Sequence, residues 1–175
     1  MKKILVLVSI LFLSVSTATS LFADTKDAAK AFLSELKKNI PQGKIVSTDD
    51  LFKKWQEVQA GTSKALIIDI RTEAEFDAGH LKDANNVDSG HAYGIPKKWS
   101  DPEREMWIFC RTQQRAGYFV SLLYKFGYKN VYLVKGGVKE WAEKGYPLYN
   151  KYLGEIKVIQ YHKKLAEDFL YRENK

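Results

Sequence analysis

Cys110 is the single cysteine of this chain, and it opens the hexapeptide Cys110-Arg111-Thr112-Gln113-Gln114-Arg115. The apolar run Met106-Trp107-Ile108-Phe109 precedes it, and a helical pattern begins at Ala116. This order puts a thiol at the end of a strand, in a short basic loop that opens a helix. Backbone N–H groups and the positive helix end favour an anion there, and two guanidinium groups add to that field. The chemistry that suits such a position is that of a sulfur nucleophile acting on an anionic or sulfur-bearing substrate. One cysteine cannot form an internal disulfide, and a purely structural thiol has no use for two flanking cations. The histidines His80, His91 and His162 are scattered and share no metal-ligand spacing with it, so neither a metal nor another cofactor is expected.

The elements that must position this thiol follow from the pattern around it. Asp27 to Asn39 reads as an amphipathic helix with Ala29, Phe32, Leu33 and Leu36 on one face, broken by Pro41-Gln42-Gly43. A short strand at Ile45-Val46 leads to a helix capped by Thr48 or Asp49 and carrying Leu51, Phe52 and Trp55. Ala65 to Ile70 is an apolar run closed by Asp69-Ile70-Arg71, as expected of a strand buried on both faces. Thr72-Glu73-Ala74-Glu75 is a capping box that opens a short helix ending at Gly79. Asn86-Val87-Asp88 suggests another strand, and Ser89 to Glu105 a long polar loop with a helical turn near Lys97-Lys98-Trp99. The helix after the cysteine turns Phe119, Leu122, Leu123 and Phe126 inward. Val131 to Val134 is the last strand, and a helix with Trp141 follows the Gly136-Gly137 turn. Strands alternating with helices predict an α/β domain with a parallel sheet covered on both faces.

The ends of the chain differ in character. Lys2 and Lys3, the apolar stretch Ile4 to Val15 and the small residues Ser16 to Ala23 have the order of a secretory leader over residues 1–23. The expectation is an exported protein, periplasmic in a bacterium and soluble after cleavage. Losing the two leader lysines lowers the formal charge from +7 to +5. That excess is dispersed, with no zinc-finger or RNA-binding signature, which argues against nucleic acid and for small anionic substrates or an acidic partner. Residues 24–40 form an N-terminal helix and 41–150 the domain. Residues 151–175 are a C-terminal extension, read as one helix from Leu153 to Lys175 with the stripe Val158, Tyr161, Leu165 and Phe169. That helix either docks on its own domain or offers a surface to a protein partner.

Three segments coincide in order and spacing. Asp69-Ile70-Arg71 runs into Glu75-Phe76-Asp77-Ala78-Gly79-His80-Leu81, Cys110-Arg111-Thr112-Gln113-Gln114-Arg115-Ala116 follows a strand, and Gly136-Gly137-Val138-Lys139-Glu140-Trp141 leads to Gly145-Tyr146-Pro147-Leu148. Together they resemble a single-domain rhodanese, a member of the sulfurtransferase family, over roughly Pro41 to Leu148. The resemblance implies a five-stranded parallel sheet flanked by helices on both faces. It also implies a Cys110 persulfide that takes sulfane sulfur from thiosulfate, polysulfide or a persulfide and passes it to a thiophilic acceptor. Phosphatases and arsenate reductases of similar fold use a loop one residue longer; the four residues between Cys110 and Arg115 match the sulfur-transfer form.

The loop departs from the family in one place that bears on function. Glycine is common where Gln113 stands, so Gln113 is expected either to adopt positive φ at a cost of about 1 kcal/mol or to reshape the loop. Cys110 is the expected nucleophile, and Arg111 and Arg115 are expected to favour its thiolate and attract anionic donors. Thr112, Gln113 and Gln114 would contribute backbone N–H groups, arranged like an oxyanion hole. Asp69 and Arg71 are read mainly as scaffold with a lesser chance of reaching the pocket, Glu75 as a helix-capping acid, and His80 as a turn former. His91 is a candidate for the entrance, and Trp99 and Trp107 either flank the mouth or pack. Two other classes remain open: a non-catalytic rhodanese module that binds a partner, and a thiol redox protein dependent on an external thiol.

Overall fold

The computed structural model describes residues 25–158. Its centre is a five-stranded, all-parallel sheet in the order β1-β5-β4-β2-β3. The strands are β1 (Ile45–Val46), β2 (Leu66–Asp69), β3 (Asn85–Asn86), β4 (Met106–Phe109) and β5 (Val131–Val134). The helices are α1 (Thr25–Lys37), α2 (Thr48–Gln59), α3 (Glu73–Ala78), α4 (Ile95–Lys98), α5 (Gln114–Lys125) and α6 (Gly137–Glu143). An antiparallel pair, β6 (Leu148–Asn150) and β7 (Gly154–Ile156), closes the described chain.

Side chains alternate across each strand, so neighbouring residues serve opposite cores. Ile68, Ile108 and Leu133 pack with Phe119, Val120 and Leu123 of α5 and with Ala92 and Ile95. Ile67, Trp107 and Phe109 pack on the other face with Leu51 and Trp55 of α2 and Val138 and Trp141 of α6. Both faces of the sheet are therefore covered, which is why its strands read as continuous apolar runs. Phe109 belongs to the α2/α6 side and Cys110 to the α5 side. The thiol thus leaves the central strand at its carboxyl end, toward the helix that follows it. Open parallel sheets place their reactive groups at those strand ends.

Several local expectations are met with small shifts. The Thr72–Glu75 capping box is present, and a second box starts α2 at Ser47, one residue before the expected cap. Ser47 wins because its hydroxyl accepts from Asp50 N–H while the Asp50 carboxylate accepts from Ser47 N–H. On α1 only Leu36 is buried. Leu33 is half-buried, whereas Ala29 and Phe32 are exposed, because the helix rests on α5 by its last turn.

The single helix predicted from Leu153 does not begin there. Gly154–Ile156 is a strand that pairs back on Leu148–Asn150, with Gly154 at φ +72° in the connecting turn. Ile156 and Val158 join the apolar cluster of the α2/α6 face, which a helix starting at Leu153 would not bring about. The rest of that stripe, and the leader, lie outside the described residues. No described helix is long and apolar enough to cross a membrane.

Trp141 is the fully buried anchor of the α2/α6 face. It packs edge-on against Phe52, Trp55 and Tyr146 and donates from Nε1 to the Pro147 carbonyl at 2.9 Å. Trp141→Ala removes that packing and leaves a cavity, with an expected loss of about 3–5 kcal/mol. A urea midpoint unchanged from that of the parent chain would contradict this account of the core.

Candidate active site

The loop between β4 and α5 is built by constraints from two sides. On one side α6 approaches so closely that its first N–H groups bond to the loop. Val138 N–H donates to the Cys110 carbonyl at 3.0 Å and Lys139 N–H to the Arg111 carbonyl at 2.9 Å. Gly137 stands at φ +60°, and a Cβ there would lie 2.2 Å from the Cys110 carbonyl oxygen. The paired glycines at 136 and 137 are therefore required by space as well as by backbone angle. With the Cys110 and Arg111 carbonyls directed to α6, the N–H groups of Arg111, Thr112 and Gln113 engage no backbone carbonyl among the described residues.

The other constraint is an ion pair that sequence reasoning did not foresee. Glu75 accepts from both terminal nitrogens of Arg115, at 2.7 and 2.8 Å, while its carboxylate also caps Thr72 N–H at 3.2 Å. One carboxylate thus fastens the cysteine loop to the start of α3. The Arg115 hydrogen bonds hold the Glu75 carboxyl down at about 2, despite partial burial that acts the other way. The Arg115 guanidinium is held more firmly protonated by Glu75 first, and the Cys110 thiol adds to the effect. The only signal in sequence was Glu75 itself, whose capping role concealed its second partner.

Cys110 is 1% exposed, yet it lines a cavity of about 230 Å³ together with Arg111, Thr112, Gln114 and Arg115. Five of the six candidate loop residues therefore meet around one space. Arg111 is exposed and has no ion pair among the described residues, so it brings uncompensated positive charge to the mouth. Gln113 lies behind, facing a separate cavity with Thr112, Gln114, Gly136 and Lys139. Its φ is 179°, which is extended backbone and not the left-handed region. The strained alternative expected for Gln113 is therefore not what the chain adopts. Its carbonyl instead receives Gly117 N–H at 2.8 Å and starts α5.

Asp69 and Arg71 sit beneath the site and are buried. Arg71 is paired with Asp69 at 2.6 Å and donates to the carbonyls of Glu75 and Gly79 at 2.9 and 2.7 Å. Its donors are committed to the ends of β2 and α3, so it holds Glu75 in place and does not line the cysteine cavity. His80 stacks on Phe76 at 3.9 Å and exchanges backbone bonds with Tyr149, as a turn former does. His91 is exposed beside Tyr93 and lines none of the cavities around the loop. Trp107 stacks on Tyr132, and Trp99 packs against the α5-side core, so neither flanks the mouth. No group of His, Cys, Asp or Glu able to hold a metal occurs among the described residues.

Two outcomes follow from this geometry. Gly137→Ala should displace the Cys110 and Arg111 carbonyls and abolish stoichiometric labelling of Cys110 by an anionic thiol reagent, while circular dichroism stays helical. Unaltered labelling kinetics would show that the α6 contact does not shape the loop. For Glu75, whose folded value is depressed, the stabilisation is complete above the unfolded value near 4.5 and is lost as pH falls through about 2. At a third exposed, solvent screening limits the pair to about 1 kcal/mol. Urea midpoints from pH 6 to pH 2.5 should fall less steeply in Glu75→Gln than in the parent; parallel curves would refute the assignment.

Comparison with known proteins agrees with this architecture. The family model of the rhodanese-like domain matches residues 52–144. A sulfurtransferase of Allochromatium vinosum is 33% identical over 89 residues, covering 51% of this chain and 82% of that protein. The uncharacterized protein YqhL of Bacillus subtilis is 32% identical over 89 residues, 51% of this chain and 70% of the relative. A tRNA uridine(34) hydroxylase of Rickettsia bellii is 26% identical over 149 residues, 82% of this chain but 58% of the relative. Among solved structures, the polysulfide-sulfur transferase homodimer of Wolinella succinogenes has the same fold. Its TM-score is 0.55 at 22% identity, covering 79% of this chain and 94% of that one. With the central-strand cysteine, its six-residue loop and the glycine pair against it, the chain belongs to the rhodanese-like domain family.

Proposed function

We propose that the chain is an exported sulfurtransferase or sulfur carrier that works through a persulfide on Cys110. The observation that carries this reading is the cavity at the carboxyl end of the central strand. Cys110 lines it, Arg111 and Arg115 border it, and three loop N–H groups engage no backbone carbonyl. In the first half-reaction the Cys110 thiolate attacks the outer sulfur of a sulfane donor. The donor's S–S bond breaks, and its electron pair leaves with the remaining thiolate or sulfite. In the second, an acceptor nucleophile takes the outer sulfur, and the electron pair of the Cys110 disulfur bond returns to Sγ. Splitting the transfer in this way replaces one demanding step by two easier ones.

Each half needs a place for negative charge. A terminal persulfide sulfur is anionic, and loop N–H groups around it would act as an oxyanion hole does, preorganised and shielded from water. Arg115 is largely neutralised by Glu75, so its role is to hold the loop and lend direction. Arg111 retains its charge toward solvent and suits recruitment of anionic donors such as thiosulfate or polysulfide. The name of the Allochromatium relative is consistent with sulfur transfer. The leader-like order of Lys2-Lys3, Ile4 to Val15 and Ser16 to Ala23 supports export, with a periplasmic setting in a bacterium.

Intact-protein mass spectrometry tests this directly. After incubation with polysulfide, the chain should gain the mass of one sulfur atom, lose it to cyanide or sulfite, and gain nothing as Cys110→Ser. Absence of a donor-dependent adduct on the parent chain would defeat the proposal.

A further inference from the structure

A cavity of about 150 Å³ lies on the α2/α6 side of the sheet, and Cys110 does not line it. Its apolar walls are Val138 and Ala142 of α6, Leu148 and Ile156 of the β6/β7 pair, and Val158. Arg71 and Glu75 supply the polar part of the lining. Arg71 is buried and commits Nε and Nη2 to Asp69 and the Gly79 carbonyl. Its Nη1 donates to the Glu75 carbonyl alone, so an N–H of that nitrogen meets no acceptor among the described residues. An apolar cavity of this size accommodates one benzene ring. An unengaged donor in the wall suits a ring that also carries an oxygen.

Val158 is the last described residue and forms part of the cavity wall, so the chain continues from the rim. Tyr161 follows three residues on, a separation that spans at most about 10 Å of chain, which puts the cavity within reach of its ring. Leu165 and Phe169 extend the apolar stripe that Val158 opens, between charged residues. A tethered segment meets its site at a high effective concentration, whereas a free ligand loses its translational freedom on binding. The occupant favoured by this layout is therefore the chain's own continuation. We infer that residues 159–175 dock on this face of their own domain, with the Tyr161 ring in the cavity and its oxygen on the unengaged Arg71 N–H. Glu75 borders the same cavity and grips Arg115, so the docked segment shares a wall with the carboxylate that fastens the cysteine loop. The β6/β7 pair and the segment after it lie beyond the part matched by the family model, so this docking belongs to the chain and not to the fold.

The test uses the full chain, with labelled methyl groups, in solution NMR. The Tyr161 ring should give NOEs to the methyls of Val138, Ala142 and Ile156, and Tyr161→Ala should remove the upfield ring shift of those methyls. Tyr152→Ala, at an exposed site on the hairpin tip, should leave them in place. Trypsin cleavage after Lys163 and Lys164 should be about tenfold faster in Tyr161→Ala, as for a segment released from its site. In Tyr161→Phe it should be about threefold faster, the effect of one lost hydrogen bond. Ala142→Leu, which fills the cavity from α6, should also speed that cleavage with Tyr161 intact. Absent NOEs, or cleavage rates equal to the parent's in all three variants, would overturn the inference. The same NOEs seen between differently labelled chains would place the ring in a second copy and overturn it as well. None of these readouts depends on whether polysulfide loads Cys110, so the two proposals stand or fall separately.

Discussion

The carbonyl of Cys110 occupies the space that any side chain at position 137 would need. From this single exclusion the rest of the site follows. Because α6 presents a glycine there, its N–H groups reach the Cys110 and Arg111 carbonyls. Once those carbonyls are committed to α6, the peptide planes of the loop are fixed, and the N–H groups of Arg111 to Gln113 are kept from that contact. A loop that spent its N–H groups on α6 would offer an anion nothing. The helix after the last strand of the parallel sheet thus shapes the site, although it contributes no side chain to the cavity.

Charge around the thiol is arranged with the same economy. Two arginines flank the cysteine, but they are not equivalent. Arg115 shares a carboxylate bidentately, an arrangement that fixes a guanidinium in orientation more than it projects charge. Glu75 is itself placed by Arg71, which holds the Glu75 carbonyl from below and is locked to Asp69 in turn. A relay of buried and half-buried polar contacts therefore runs from the end of β2 to the wall of the cysteine cavity. Arg111, outside this relay, is an exposed charge at the mouth of the cavity.

How much of this could be read from the residues depends on the range of the interaction. Cys110 after four apolar residues, the Thr72–Glu75 box and the glycine pair are local patterns, and each lies where its spacing predicts. The Glu75–Arg115 pair joins residues forty apart, and no periodicity marks it. At Gln113 the residues leave two ways to complete the turn and do not choose between them. Positive φ at that position is one way to complete the turn, but here an extended φ with the Gln113 carbonyl capping α5 completes it without strain. The C-terminal segment shows the weakness of periodicity over short spans. Val158 opens the expected helical stripe, but Ile156 and Val158 also have the alternate spacing of an extended segment, and the pairing of Gly154–Ile156 with Leu148–Asn150 settles the local structure.

Burial alone weighs against a reactive group, because a reagent must reach it. The geometry divides the two sides of Cys110 instead. Its strand side joins Ile70, Ile108 and Ala116 in the apolar core, which fixes its position, while its loop side opens on the cavity bordered by Arg111 and Arg115. The proposed persulfide would extend the reactive atom by one sulfur into that cavity, away from the hydrocarbon. Depth would then serve that chemistry, because a sulfane sulfur carried below the rim would be shielded from solvent. Access would be left to molecules whose shape suits the loop residues that form the walls.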